Sequence, residues 1–460
     1  MDYPNVVFIV IDTLRKDYAK SLEEELKKLG FISYKNAIAP SSWTLPSHVS
    51  MLTGLYPAFH GVHETKTKKD FEIRVDKKKR RALISYIFSD LGLNTYLITA
   101  NPFVSRYCGI HGFLKTYEIT GWFLDMLSDY TTEVLQQIKQ QINKDDMGNK
   151  FKYRLSIVKE LLKLGKYSAL LELILKYPLY PLYQYYHRRP WPIDKGAKFA
   201  IKKLESILSI SRKDSNFIFM NLMEVHEPYS KKEEKTYRNY FMENLKTNKL
   251  NPNLIKNWKE NYPKEVAYVT ERVLEIMRIL KERGMFDNSL IIVTSDHGQL
   301  LGEHGRIGHG VFLYDELLRV PLLVKYPKGY TINHIQEDSK YISLTRLKPF
   351  ILDIINKNIS DDSILYEDTV FAESYGVHLN VGELSTEEER KNIEQLEKYR
   401  VAIYYKNFKG LFNVTDWKFE EVKSYNPKIE VTESVEKHMK KKVVKFLKTA
   451  TLAKVPKIEI

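Results

Sequence analysis

The chain has 460 residues, 43% of them hydrophobic and 28% charged, normal for a soluble globular protein and enough for a large core and two domains. A net charge of +14 with a pI near 9.2 fits attraction to an anionic partner. Lysines spread along the whole chain instead favour a Lys/Glu-rich solvated surface, with no motif for binding nucleic acid. The single cysteine, Cys108, excludes an intrachain disulfide framework.

Met1-Asp2-Tyr3-Pro4 lead straight into the apolar run Asn5–Ile11, without a basic leader or cleavage site, so a cytoplasmic location is expected. That run is β-branched and ends in Asp12, the pattern of a buried parallel strand. Lys20 to Leu29 reads as an amphipathic helix stopped by Gly30. Pro46 suits the first turn of a second helix that ends at Gly54 and places Thr44 just before its N-terminus, where free N–H groups favour an anion. Arg81 to Leu91 reads as a helix and Thr95 to Ala100 as a strand ending at Asn101.

From 122 to 190 the texture is helical and rich in Lys and Tyr, an insertion whose last part, Tyr177 to His187, is dense in Pro and Tyr. Helices packed on the core with a solvated face are expected there; a lid, a substrate-recognition element or an interfacial membrane contact are the functional alternatives. Leu170 to Pro178 is too short and too polar to span a bilayer, so no transmembrane segment is expected. The core resumes with a helix at Lys195–Leu208 and a strand at 216–223, with Glu224 and His226 at its end. A helix from Lys264 to Arg283, a strand at 290–295 closed by Asp296-His297-Gly298, and a strand at 321–326 follow. Past Tyr366, segments 400–406, 410–414 and 418–424 alternate as an antiparallel sheet. Val435, Met439, Val443, Phe446 and Ala450 then mark a docking helix. The expected division is a catalytic α/β unit over 1–365 and a smaller unit over 366–460.

Ligands of open α/β sheets gather at the carboxyl ends of the strands. Asp12, Asp296 and His297 there, with the Thr44 hydroxyl, form a plausible ligand set for a divalent metal, which would also activate Thr44 as a nucleophile. Imidazole with carboxylate suits Zn²⁺ or Mn²⁺ better than Ca²⁺, and Mg²⁺ is a further alternative. Glu224, His226 and His309 either form a second metal site or leave both histidines to contact the anion, one of them protonating the leaving oxygen. On a regular strand Glu224 and His226 would share one face. Asn101 is a candidate oxygen contact, Arg15 and His48 either contact the substrate or order the site, and His304 is left without a role.

The ordered pieces Asp12-Thr-Leu-Arg15, Thr44-Leu-Pro-Ser-His48, His226-Glu-Pro-Tyr229, the run Ser295–Gly305, His309 and Arg319-Val-Pro-Leu322 resemble the sulfatase-like branch of the alkaline phosphatase superfamily. The resemblance spans nearly the whole chain outside the insertion. It implies an α/β sandwich with a central mixed, mostly parallel sheet and a small C-terminal antiparallel sheet. It also departs from the pattern. True sulfatases have Cys or Ser in the place of Thr44, converted to formylglycine, and threonine is no substrate for that conversion. His48 stands where an arginine is usual and His309 where a lysine is. A threonine nucleophile resembles the phospho-branches: nucleotide phosphodiesterases, phosphoethanolamine transferases and phosphoglycerol transferases. The leading expectation is thus a metal-dependent phosphoesterase acting on a small anionic ester through a covalent Thr44 intermediate. Alternatives are a sulfuric ester hydrolase, a phospho-group transferase for polar lipids or sugars, and a non-catalytic anion-binding protein.

Overall fold

A computed structural model describes residues 3–118, 126–139, 150–182, 192–210, 215–231, 233, 236–358 and 360–450. Seven strands form the central sheet: β1 (Asn5–Ile11), β2 (Ile32–Tyr34), β3 (Asn94–Thr99), β4 (Lys115–Glu118), β5 (Asn216–Leu222), β6 (Ser289–Thr294) and β7 (Leu322–Lys325). Their order across the sheet is β2-β7-β6-β1-β5-β3-β4. Neighbours pair in parallel except β7, which runs antiparallel to both β6 and β2.

β1, β5 and β6 are buried along their full length, as central parallel strands are when both faces are covered. Alternation divides their side chains between two cores: Val7, Ile9 and Ile11 face one, Val6, Phe8 and Val10 the other. The first core is covered by helices α1 (Lys20–Lys28), α6 (Ala197–Ile210) and α7 (Pro252–Glu282), the second by α2 (Thr44–Thr53) and flanking short helices. The mixed, mostly parallel sheet of the expected α/β sandwich is therefore present.

α7 begins a dozen residues before the expected Lys264. The Asn251 side chain caps the Asn253 and Leu254 N–H groups, and Pro252 sits in the first turn where no N–H is needed. Pro263 does not break the helix, although an interior proline costs about 3 kcal/mol. The buried stripe Trp258, Tyr262, Val266 and Val269 spans both sides of it and outweighs that cost. Short β2 and β4 were not anticipated, nor was the helix Glu387–Leu396, whose Thr386 and Glu389 form a reciprocal capping box.

Within the insertion, helices α3 (Asp129–Lys139), α4 (Lys150–Lys163) and α5 (Tyr167–Lys176) pack through Val134, Ile138, Leu161 and Ala169. The stretches around Trp122 and from 183 to His187 and Arg189, which the sequence reading included, lie outside the described residues. Strands β8 (Thr369–Ser374), β9 (Arg400–Tyr405), β10 (Phe408–Asn413) and β11 (Lys418–Ser424) form the C-terminal antiparallel sheet in that order. Met439, Val443, Phe446 and Leu447 of α8 (Glu433–Thr449) pack on one face of it, and Leu317 and Leu318 lie against the other. Among the described residues, no helix is long and apolar enough to cross a membrane.

Candidate metal centre and nucleophile

The register of the central strands sets Asp12 beside Asp296. Val10 pairs with Thr294 on one side and Ile11 with Leu222 on the other, and the Asp12 N–H donates to the Leu222 carbonyl at 2.9 Å. Beyond Asp12 the chain turns sharply through Thr13, whose φ of +59° lies in the left-handed region, unusual for a β-branched residue. The turn is pinned by its hydroxyl to the Asp12 carbonyl at 2.7 Å, by its N–H to Asp296 Oδ1 at 3.3 Å, and by the Tyr262 hydroxyl to its carbonyl at 2.7 Å. On the other side of the cluster, Ser47 Oγ donates to the Asp296 carbonyl at 2.7 Å and fastens α2, which starts at Thr44.

Asp12, Asp296 and His297 converge within reach of one ion. His297 Nδ1 donates to the Gly298 carbonyl at 2.9 Å, which leaves Nε2 without its proton. That Nε2 lies 3.3 Å from Thr44 Oγ1, 3.4 Å from Asp296 Oδ2 and 3.9 Å from Asp12 Oδ1. Asp12 Oδ1 and Asp296 Oδ2 are buried without a hydrogen-bond partner, and Asp12, Asp296 and His297 are wholly shielded from solvent. Burial first, and the adjacent Asp12 charge second, push the Asp296 carboxyl well above the usual range. Burial drives His297 down to about 4, so the ring is neutral. Two orphaned carboxylate oxygens facing a bare imidazole nitrogen fit a divalent cation, which would relieve both penalties at once.

Asn101 joins the cluster: its amide donates to Asp12 Oδ2 at 2.8 Å and to Thr44 Oγ1 at 3.4 Å. Asn221, which the sequence reading passed over, donates to the same Asp12 oxygen and to His48 Nε2, at 3.4 and 3.3 Å. His48 is buried behind Thr44, its Nδ1 donating to the Thr44 carbonyl at 2.9 Å. Of the two uses open to His48, substrate contact or ordering of the site, this bond is of the ordering kind, holding the first turn of α2. Arg15 is engaged in the same way. Its guanidinium is taken up by Asp17, by Glu303 at 2.7 Å and by the Gln299 carbonyl, so it clamps the Asp12 turn to the 299–303 loop.

A second group, His226, Glu227 and His309, adjoins the first, with the rings of His297 and His309 4.5 Å apart. His226 Nδ1 donates to the Glu227 carbonyl at 2.8 Å and His309 Nδ1 to Gln299 Oε1 at 2.7 Å, leaving both Nε2 atoms bare. The Gln299 amide donates onward to Glu227 Oε2 at 2.8 Å. Glu224, expected in this group, is elsewhere. β5 stops at Leu222, so strand alternation does not reach it, and its carboxylate accepts the N–H groups of Lys195 and Ala197 at the start of α6. Burial pushes that carboxyl up to about 8. The carboxylate beside the histidines is Glu227, one residue past the histidine that the motif singled out.

His378 completes the wall from the C-terminal segment. Its ring stacks on Trp43 at 5.1 Å and lies 6.1 Å from His309. Gly310 is required beside it, since a Cβ there would sit 2.3 Å from the imidazole. Trp43 is fixed by its indole N–H to Glu64 Oε2 at 2.8 Å. No motif in the sequence pointed to His378, which follows no strand-end pattern. His304 lies apart, half exposed, stacked on Tyr314 and 3.2 Å from Glu316.

The family model described as "Sulfatase" matches residues 4–157 and 166–357. An N-acetylglucosamine-6-O-sulfatase of Bacteroides thetaiotaomicron is 38% identical over 72 residues, covering 16% of this chain and 13% of that protein. A low-salt glycan biosynthesis sulfotransferase of Haloferax volcanii is 36% identical over 87 residues, covering 17% and 22%. The aligned segments thus span less than a quarter of these curated relatives. Among solved structures, the phosphonate monoester hydrolase of Silicibacter pomeroyi superposes with a TM-score of 0.60 at 15% identity, covering 97% of this chain and 94% of that one. A 2-O GAG sulfatase gives 0.59 at 11% identity, covering 97% and 91%. Members of the matched family are metal-dependent, a chemistry that the Asp12–Asp296–His297 cluster can serve, and the chain belongs to the sulfatase family.

Proposed function

We propose that the protein is a metal-dependent phosphoesterase that cleaves a small anionic phosphate mono- or diester through a covalent Thr44 intermediate. The observation that carries this reading is the Thr44 hydroxyl, set at the first residue of α2 between Asn101 and His297 and beside two carboxylates that each leave one oxygen unpartnered. A divalent cation held by Asp12, Asp296, His297 and Thr44, with Zn²⁺ or Mn²⁺ favoured over Mg²⁺ or Ca²⁺, would make the hydroxyl more acidic and offset charge on the phosphoryl oxygens. In the first step the Thr44 Oγ1–P bond forms, the P–O bond to the leaving group breaks, and the hydroxyl proton passes to solvent. The α2 N-terminus and the Asn101 amide face the negative charge that gathers there.

His226, once its Nε2 has taken up a proton from solvent beside the one Nδ1 gives to the Glu227 carbonyl, is the proposed donor to the leaving oxygen. Burial and the rings of His297 and His226 hold His309 far below its ordinary range. The bare Nε2 of this neutral ring, not its basicity, assigns it the accepting role, taking a proton from the water that attacks phosphorus as the Thr44 ester opens. A second cation on His226, Glu227 and His309 is the alternative use of that group. Buried, unpaired Cys108 accords with a reducing, cytoplasmic setting.

The sulfuric-ester reading is favoured by the family match and by the N-acetylglucosamine-6-O-sulfatase of Bacteroides thetaiotaomicron; the absence of a convertible residue at position 44 weighs against it. A phospho-group transferase differs only in the acceptor of the second step, and a non-catalytic anion-binding protein would use the same charges without turnover. Metal-reconstituted protein and Thr44→Ala, assayed on p-nitrophenyl phosphate, its bis-ester, a phosphonate monoester and p-nitrophenyl sulfate, separate these readings. Phospho-ester turnover that vanishes in Thr44→Ala is expected. Preference for the sulfate would establish the sulfatase reading instead, and silence on all four would point to a transferase or a binding role.

A further inference from the structure

The α4–α5 hairpin departs from the solvated face expected of the insertion. Its inner seam, Leu161, Ala169 and the partly buried Ile157 and Leu173, packs against α3. The opposite side is also apolar. Leu155 and Leu162 on α4, and Leu171, Ile174 and Leu175 on α5, are exposed, Ile174 and Leu175 by 60% and 62%, as is Leu182 beyond α5. The spacing 171, 174, 175 keeps these side chains on one face of α5, so they form a ridge rather than scattered exposures.

The ridge is set in positive charge. From 150 to 182 the chain has seven Lys and Arg residues against two Glu. Both acids are spoken for: Glu172 accepts from Ser128, Thr131 and Lys176, and Glu160 pairs with Lys163 at 3.5 Å. Exposed Tyr167 and Tyr177 bring amphipathic rings, the type that settles at a headgroup boundary. A second copy of the chain would set this cationic face against its like, at an electrostatic cost. An anionic bilayer satisfies both features, because leucines enter the acyl boundary while lysines reach the headgroups.

We propose that the outer face of the α4–α5 hairpin docks the protein on the surface of an anionic lipid membrane. The proposal is independent of the chemistry at Thr44, since it rests on side chains that the catalytic reading does not use. Flotation of the full-length, metal-loaded protein with phosphatidylcholine vesicles, with and without phosphatidylglycerol, tests it. The wild type is expected to float with the anionic vesicles and far less with the neutral ones. Leu171→Gln/Ile174→Gln/Leu175→Gln is expected to lower partitioning at least about tenfold, and Lys159→Gln/Lys163→Gln, or added salt, by about the same factor. Metal content and esterase turnover in solution should be unchanged in both variants. If the apolar triple loses its native melting transition, the lysine pair, which lies outside the packed seam, decides the matter. Wild type that does not float, or flotation indifferent to the variants, overturns the proposal. A concentration-dependent oligomer dissolved by the apolar triple would likewise overturn it and assign the ridge to contacts between copies.

Discussion

The two histidine–carboxylate groups lie side by side but are built on opposite terms. Asp12, Asp296 and His297 sit at the ends of β1 and β6 and are wholly buried, with two carboxylate oxygens left unpartnered. His226, Glu227 and His309 sit on loops and are only partly shielded, and their carboxylate is already engaged by the Gln299 amide. Burying like charges without compensation costs several kcal/mol, so the first group is consistent only with a resident cation or an extra proton. The second is stable as it stands and has bare Nε2 atoms to offer. On the proposed reading, the inner group keeps its ligand and the outer group exchanges one with every turnover.

The largest effects should come from the inner group. Thr44→Ala is expected to lower kcat by roughly 10⁴-fold or more while metal content stays near that of the wild type, since both aspartates and His297 remain. Element analysis beside kinetics would check this, and substantial turnover without the hydroxyl would remove Thr44 from the mechanism. His226→Ala and His309→Ala should each cost about 10²- to 10⁴-fold in kcat. These variants also sharpen the contrast. With the outer group acting by proton transfer, stoichiometry stays at one ion per chain; with a second cation there, it falls from two to one.

A stability measurement separates the groups by sign. In metal-free protein, Asp296→Asn removes one of two facing charges and keeps an oxygen to accept from Thr13 and His297. It should therefore raise the melting midpoint, by about 1–3 kcal/mol in free energy. With metal present the order should invert, because the wild type gains binding energy that the variant loses. Glu227→Gln in the outer group should show no such inversion. An inversion at Glu227 would mean that both groups hold resident ions.

Sequence reading reached the inner group because its residues are local consequences of strand ends: β-branched runs halt at Asp12 and beside Asp296, and Pro46 announces the helix that carries Thr44. It failed wherever position depended on tertiary partners. Glu224 was placed by extending strand alternation past Leu222, but the chain had already turned. For Arg15 and His48 the sequence leaves substrate contact and site ordering both open, and their partners Glu303 and the Thr44 carbonyl are visible only in the fold. His378 comes from a loop brought in by the C-terminal sheet, and only its packing on Gly310 and Trp43 reveals it. α7 likewise starts at Pro252 and not at the expected Lys264, its buried stripe carrying the helix through Pro263.

The smallest expected effect concerns His48, the support behind Thr44, and bears on whether the inner group is neutral throughout. Burial lowers His48 to about 4, against an opposing pull from Asp12. The unfolded imidazole takes up its proton near 6.5 and the folded one does not until about 4, so the folded state is favoured in full above roughly pH 6.5. That advantage drains away as pH falls toward about 4. His48→Gln cannot titrate. The difference in melting midpoint between wild type and His48→Gln, taken at matched metal loading, should therefore shrink as pH is lowered from about 7.5 to about 5. His48 Nδ1 also lies 3.4 Å from Asp296 Oδ2, so the opposite trend has a definite meaning. A difference that widens on acidification would show His48 protonated and paired with Asp296, which would make it a charge partner of the cluster rather than a neutral strut for α2.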